Sequence, residues 1–193
     1  MIIDFTKGSM GYRLSHCQGR NELIVKAVGW KKDQPLHIYD TTAGLGRESF
    51  LLAQVGCQIT LFERHPEIGV LLEQNLARSA LDPTLSPIIQ RMTLYKQCAI
   101  DFLENFIEIA PDVIYCDPMF PLRSKSALVK KEMQFLHAMV SPDSDSEKLV
   151  ALACKIAKKR VVVKRPHLAP ALKENPAFVL KARAHRFDIY LKT

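Results

Sequence analysis

Leu36-His37-Ile38-Tyr39-Asp40-Thr41-Thr42-Ala43-Gly44-Leu45-Gly46-Arg47-Glu48 is the stretch whose reading decides the fold. Its first five residues form a short, largely apolar run that ends on an acid, as a buried strand does when it reaches the edge of a sheet. Gly44 and Gly46 then turn the chain and let its backbone approach a ligand without Cβ clashes. Residues 47–55 read as the helix that follows.

The same strand–turn–helix unit recurs downstream. Residues 57–62 form a second strand that runs into Glu63, and 66–79 a helix whose Pro66 suits a first turn, where no amide donor is needed. Asp82-Pro83 and Ser86-Pro87 mark a loop. Residues 92–95 are a third strand, 99–107 a helix, and 112–116 a fourth strand that meets Asp117. Helices are predicted at 126–140 and 146–159, a fifth strand at 160–164, and a closing antiparallel pair at 178–181 and 186–191.

Strands alternating with helices of this length predict an α/β fold: a mostly parallel sheet of seven strands, helices on both faces, and an antiparallel C-terminal strand pair. In such sheets a ligand sits beyond the carboxyl ends of the strands, where the strand order reverses. Asp40, Glu63 and Asp117 each close an apolar run, so the pattern lines three carboxylates along that edge. Residues 1–30 differ in character. Lys7, Arg13 and Arg20 are interleaved with Gly8, Gly11 and Gly19 before a short helical stretch at 22–28, which predicts an arm over 1–30 and a catalytic domain over 31–193.

Composition narrows the classes. At 193 residues the chain suits one domain, and no apolar run approaches the ~18 residues of a membrane span. Met1-Ile2-Ile3-Asp4 lacks the basic start and apolar core of a signal peptide, so a cytoplasmic protein is predicted. Cys17, Cys57, Cys98, Cys116 and Cys154 are scattered and form no Cys-x-x-Cys pair, which argues for free thiols and against a metal site or a disulfide framework. Basic residues outnumber acidic ones, for a net charge of +7, and such a surface attracts polyanions such as nucleic acid.

The Gly44-Leu45-Gly46 loop lacks the Gly-Lys-Ser/Thr of a P-loop and the third glycine of a dinucleotide fingerprint. Glu63, about 20 residues beyond Asp40 at the next strand end, is placed to accept hydrogen bonds from both ribose hydroxyls of an adenosine. A loop with no lysine for phosphates, set among acids that favour a positively charged sulfonium, fits S-adenosylmethionine better than NAD or ATP.

Asp117-Pro118-Met119-Phe120-Pro121 carries the chemistry. It resembles the Asp/Asn-Pro-Pro-Tyr/Phe loop of methyltransferases that act on exocyclic amino groups. Such a nitrogen is a poor nucleophile because its lone pair is delocalised into the ring. The Asp117 carboxylate and the Pro118 carbonyl can accept its two hydrogens and favour a pyramidal nitrogen, while Phe120 stacks on a flipped or single-stranded base. The prolines stiffen the loop for an in-line displacement, which is chiefly a matter of positioning. Lys125, Lys164 and Arg165, close to this loop or at the end of the fifth strand, read as grips for flanking phosphates. Lys130, Lys131, Lys158 and Lys159 read equally well as solvated helix faces.

Residues 40–50, 63–66, 117–121, 125–133, 159–166 and 185–190 together resemble the ribosomal RNA small subunit methyltransferase J family, the Lys-Ser-Ala-Leu-Val-Lys-Lys-Glu-Met stretch (125–133) being the most specific match. The resemblance spans residues 3–190. It implies a class I, Rossmann-like methyltransferase that forms N2-methylguanosine in 16S ribosomal RNA of the small subunit. It further implies cofactor contacts at Arg47, Glu48, Glu63, Arg64, Cys98, Ala99 and Asp117, with the Gly44 loop under the methionine part and Cys98-Ala99 near the adenine. Family members carry a further segment before the Asp-Phe that matches Asp4-Phe5, and a Gly-Gly-Gly-Arg-Gly stretch where His16-Cys17-Gln18-Gly19-Arg20-Asn21 stands here. Two alternatives stay open: the same chemistry on DNA adenine or a protein glutamine, and a non-catalytic RNA-binding assembly factor.

Overall fold

The computed structural model describes Phe5 and residues 22–107, 109–119 and 144–192. Seven strands, β1 (His37–Asp40), β2 (Gln58–Phe62), β3 (Met92–Tyr95), β4 (Val113–Cys116), β5 (Arg160–Pro166), β6 (Phe178–Lys181) and β7 (His185–Leu191), form one sheet in the order β3-β2-β1-β4-β5-β7-β6. β1 to β5 run parallel, and β7 lies antiparallel between β5 and β6. The strand order reverses beside β1, so the crevice between the carboxyl ends of β1 and β4 is where this fold opens to ligands.

Side-chain alternation along the strands explains why both faces are covered. Ile38, Val113, Tyr115 and Val162 face one layer, formed by α1 (Leu23–Ala27), α2 (Arg47–Gln54), α3 (Pro66–Ser79) and α4 (Ser86–Ile89). Tyr39, Ile114, Cys116, Val161 and Val163 face the other, formed by α5 (Ala99–Glu104) and α6 (Ser146–Ile156). Each fully buried Leu, Ile, Val or Phe contributes on the order of 1.5–3 kcal/mol, so two such layers hold the strand ends rigidly. α1, read from sequence within the arm, buries Ile24, Val25 and Ala27 in the first layer, and the Phe5 ring stacks on Phe50 at 4.4 Å.

Several boundaries differ from the sequence reading; the helices predicted at 99–107 and 146–159 end at Glu104 and Ile156. Ser86–Ile89 is a short helix rather than loop; Pro87 stands in its first turn, where its missing donor costs nothing. β5 continues to Pro166 because β7 pairs with it along its whole length, from Arg160↔Leu191 to Pro166↔His185. Asp40 is the last residue of β1, as the sequence reads, while the strand begins at His37 rather than Leu36. The helix predicted at 126–140 lies outside the described residues. No helix among the described residues is long and apolar enough to cross a membrane.

Candidate functional site

The loop after β1 is tied to the strands on both sides. The Thr41 amide donates to the Tyr115 carbonyl at 3.0 Å, and the Ala43 amide to the Phe62 carbonyl at 2.9 Å. The Thr41 hydroxyl donates to the same Tyr115 oxygen at 2.9 Å. Gly44 (φ +52°) and Gly46 (φ +69°) both adopt the left-handed conformation that glycine takes without strain. They differ in purpose. A Cβ on Gly46 would meet Leu72 Cδ1 at 2.9 Å, so its absence serves packing, whereas one on Gly44 would come no nearer than 3.9 Å to another atom of the described residues. Gly44 therefore leaves open space above the loop.

Glu63 is buried, and both of its oxygens already hold backbone donors: Oε2 accepts from the Gly44 amide and Oε1 from the His65 amide, each at 2.8 Å. Each carboxylate oxygen has a second lone pair, so the group is locked in place while keeping acceptor capacity for two ribose hydroxyls. Asp40 is buried too, accepting from the Thr42 amide at 3.1 Å and the Ser49 hydroxyl at 2.5 Å. Burial pushes its carboxyl up to about 7, against the opposing effect of those two hydrogen bonds.

Asp117 follows β4 directly, and its amide donates to the Thr42 hydroxyl at 2.7 Å. Its carboxylate oxygen Oδ2 accepts from Lys164 Nζ at 2.7 Å, and Lys164 also reaches Glu48 Oε1, in the first turn of α2, at 3.4 Å. Pro118 is buried behind it. Asp40, Glu63 and Asp117 thus gather at the switch point with Gly44 and Glu48, as the sequence pattern predicts. Cys98 precedes α5, with Ala99 buried at its start, after the neighbouring strand β3. Arg47 opens α2. Arg64 turns outward to an exposed pair with Asp145 at 2.8 Å.

The basic residues require a correction. Lys164 does not face solvent to grip a phosphate; the register that sets Cys116 opposite Val163 brings the next residue, Lys164, beside Asp117. Arg165 is buried, and its Nε and Nη2 donate to the Pro170 carbonyl at 2.9 and 2.5 Å, so its guanidinium folds back onto the loop after β5. Phe120 and Lys125 lie outside the described residues. Sequence reasoning missed the exposed Lys181 and Arg183, which the β6–β7 turn carries to the same edge as the end of β5. It also missed Thr42, whose hydroxyl fixes Asp117. A polar residue in the turn after an apolar strand is the signal for Thr42; for the hairpin, the basic turn between two strands was legible but its register was not.

The site fits a cationic nucleoside cofactor. Gly44 leaves room among the described residues, Glu63 keeps lone pairs beyond those its two backbone donors use, and Glu48 and Asp117 add acidic groups at the same edge that suit a cation. Among the described residues, no group of three or more His, Cys, Asp or Glu is arranged to hold a metal ion.

Comparison with known proteins points the same way. A family model described as SAM-dependent methyltransferase matches residues 1–192. Ribosomal RNA small subunit methyltransferase J of Marinobacter nauticus is 47% identical over 189 residues, spanning 97% of this chain and 68% of that protein. The protein of the same name from Ectopseudomonas mendocina is 47% identical over 191 residues, spanning 98% of this chain and 74% of its own length. A crystal structure of a SAM-dependent methyltransferase from Neisseria gonorrhoeae superimposes with a TM-score of 0.77 at 36% identity, covering 100% of this chain and 74% of that one. Magnesium protoporphyrin IX methyltransferase of Synechocystis PCC 6803, solved with bound SAM, shares the fold at a TM-score of 0.59 and 14% identity, covering 98% of this chain and 88% of its own.

Proposed function

The chain belongs to the SAM-dependent methyltransferase family, and from that premise we propose that it methylates the exocyclic N2 of a guanosine in 16S ribosomal RNA. Its methyl donor is S-adenosylmethionine, which when bound supplies an electrophilic methyl group on a positively charged sulfur. The acceptor is argued from two sides. The relatives at 47% identity are named for ribosomal RNA of the small subunit, and Asp117-Pro118 at the carboxyl end of β4 suits an exocyclic amine.

In this reading Glu63 holds the ribose through its remaining lone pairs, Gly44 lets the methionine part lie close to the backbone, and Cys98 and Ala99 border the adenine. Arg47, Glu48 and Arg64 complete the cofactor set. Asp117 accepts one hydrogen of the acceptor amine and the Pro118 carbonyl accepts the other, which frees the nitrogen lone pair. Phe120 stacks on the base, and Lys125 lies near enough in sequence to contact its flanking phosphates. With Lys164 and Arg165 engaged elsewhere, Lys181 and Arg183 are exposed cations at this edge that suit an RNA backbone.

The single observation that carries the reading is the station of Asp117: at the switch point, its amide fixed by Thr42 and its carboxylate within the acidic edge. The test is transfer of a labelled methyl group to small subunits or 16S RNA taken from a strain without this activity. Stoichiometric incorporation supports the proposal. A protein that binds S-adenosylmethionine yet labels no RNA overturns it.

A further inference from the structure

Lys164 stands where β5 passes the end of β4, and three elements meet at its ammonium group. Nζ lies 2.7 Å from Asp117 Oδ2, in the loop after β4, and 3.4 Å from Glu48 Oε1, in the first turn of α2. The lysine side chain is only 19% exposed, whereas the basic partners of the surface pairs, Arg64, Lys96, Lys148 and Lys159, are 40–57% exposed, so its ammonium is the shielded one. Burial by itself would lower the Lys164 ammonium, but Asp117 and Glu48 overrule it and hold it above its ordinary value. Lys164 therefore stays a cation at neutral pH and serves as neither base nor nucleophile.

Stability does not explain the arrangement. In a shielded pair the cost of desolvation offsets much of the attraction, and a hydrophobic replacement is often as stable. What the lysine does provide is a fixed carboxylate. The Asp117 backbone is held by the Thr42 hydroxyl and Oδ2 by Lys164, while Oδ1 has no hydrogen-bond donor among the described residues. One oxygen is anchored and the other is left to receive.

We propose that Lys164 is a positioning residue for methyl transfer: it anchors Asp117 Oδ2 so that Oδ1 is presented to the acceptor amine. The proposal rests on the reading of Asp117 given above, and it makes Lys164 part of the catalytic geometry rather than of RNA binding.

The test compares Lys164→Met and Lys164→Arg with wild type in the full chain. A misplaced reacting group costs on the order of 100-fold, so Lys164→Met lowers kcat by about that factor, while its affinity for S-adenosylhomocysteine, measured by calorimetry, changes by less than about threefold. Lys164→Arg, which can keep the ion pair, recovers about a tenth or more of wild-type kcat. A crystal structure of Lys164→Met shows the Asp117 carboxylate displaced by about 1 Å or more. A Met variant with wild-type kcat overturns the proposal. So does one whose kcat, cofactor affinity and thermal midpoint all fall together, because that is the signature of a structural role alone. If Lys164→Met does not fold, Lys164→Arg with its carboxylate geometry unchanged but no recovered turnover overturns it as well. A wild-type protein without methyl transfer refutes the reading of Asp117 instead, and the position of the carboxylate in the variant then decides for or against Lys164.

Discussion

At the amino end of β4 and β5, Lys159 Nζ meets Asp112 Oδ1 at 3.0 Å; at the carboxyl end of the same two strands, Lys164 Nζ meets Asp117 Oδ2 at 2.7 Å. The first pair is closed. Lys159 is 57% exposed, and Asp112 Oδ2 accepts the His37 amide at 3.0 Å, so both oxygens of the acid are occupied. Burial would raise the Asp112 carboxyl, but the His37 amide and Lys159 outweigh it and hold it below its ordinary value. The second pair is unfinished. Its lysine is shielded, it contains a second carboxylate from Glu48, and it keeps one Asp117 oxygen without a donor among the described residues. Identical residue types therefore close a sheet at one end and, at the other, hold one carboxylate oxygen while leaving the second open among the described residues.

Breaking the carboxyl end has the largest effect. Asp117→Ala lowers turnover by about a thousandfold, within the range for a group that manages a proton at the reacting atom, while cofactor affinity falls by no more than about tenfold. Labelled-methyl kinetics with calorimetry of S-adenosylhomocysteine check both halves, and full activity would refute the role of Asp117. Glu63→Ala shifts the loss to binding. Hydrogen bonds to a charged group are worth about 1.5–3 kcal/mol, so affinity drops by roughly 10- to 100-fold while kcat at saturating cofactor stays near wild type. A fall in kcat alone would place Glu63 with the chemistry instead.

Asp40 tests the same edge through stability. Its carboxyl is raised by burial to about 7 in the folded protein, against about 4 in an unfolded chain. The folded state thus favours the protonated form. The associated stabilisation is complete below about pH 4 and is lost as pH rises through about 7. Asp40→Asn cannot ionise, so its thermal midpoint falls less than that of wild type between about pH 5 and pH 8. Parallel curves for the two proteins would contradict the assignment. At the closed end the effect is smallest: Lys159→Met changes stability by less than about 1 kcal/mol in urea unfolding and leaves methyl transfer unchanged. Any loss of turnover there would dissolve the distinction between the two ends.

Much of this edge is legible along the chain because it rests on local patterns. An apolar run that stops on an acid marks both a strand and its carboxyl end, and Asp40, Glu63 and Asp117 come together for that reason alone. The parallel sheet and its antiparallel closing pair follow from the same alternation. The employment of Lys164 and Arg165 does not, since it depends on which residue of β5 stands beside which residue of β4, and on a Pro170 carbonyl that folds back over the strand end. A basic pair after a strand looks the same in sequence whether it faces solvent or a neighbouring carboxylate. The short helix at Ser86–Ile89 was hidden for a different reason: proline breaks a helix interior but begins one well.

Nucleoside mass spectrometry of 16S ribosomal RNA after reaction with the protein and S-adenosylmethionine tests the central claim most directly. The account predicts N2-methylguanosine, formed by wild type and absent with Asp117→Ala. Methyl groups found only on adenosine, or none on RNA while a protein substrate is labelled, would contradict it.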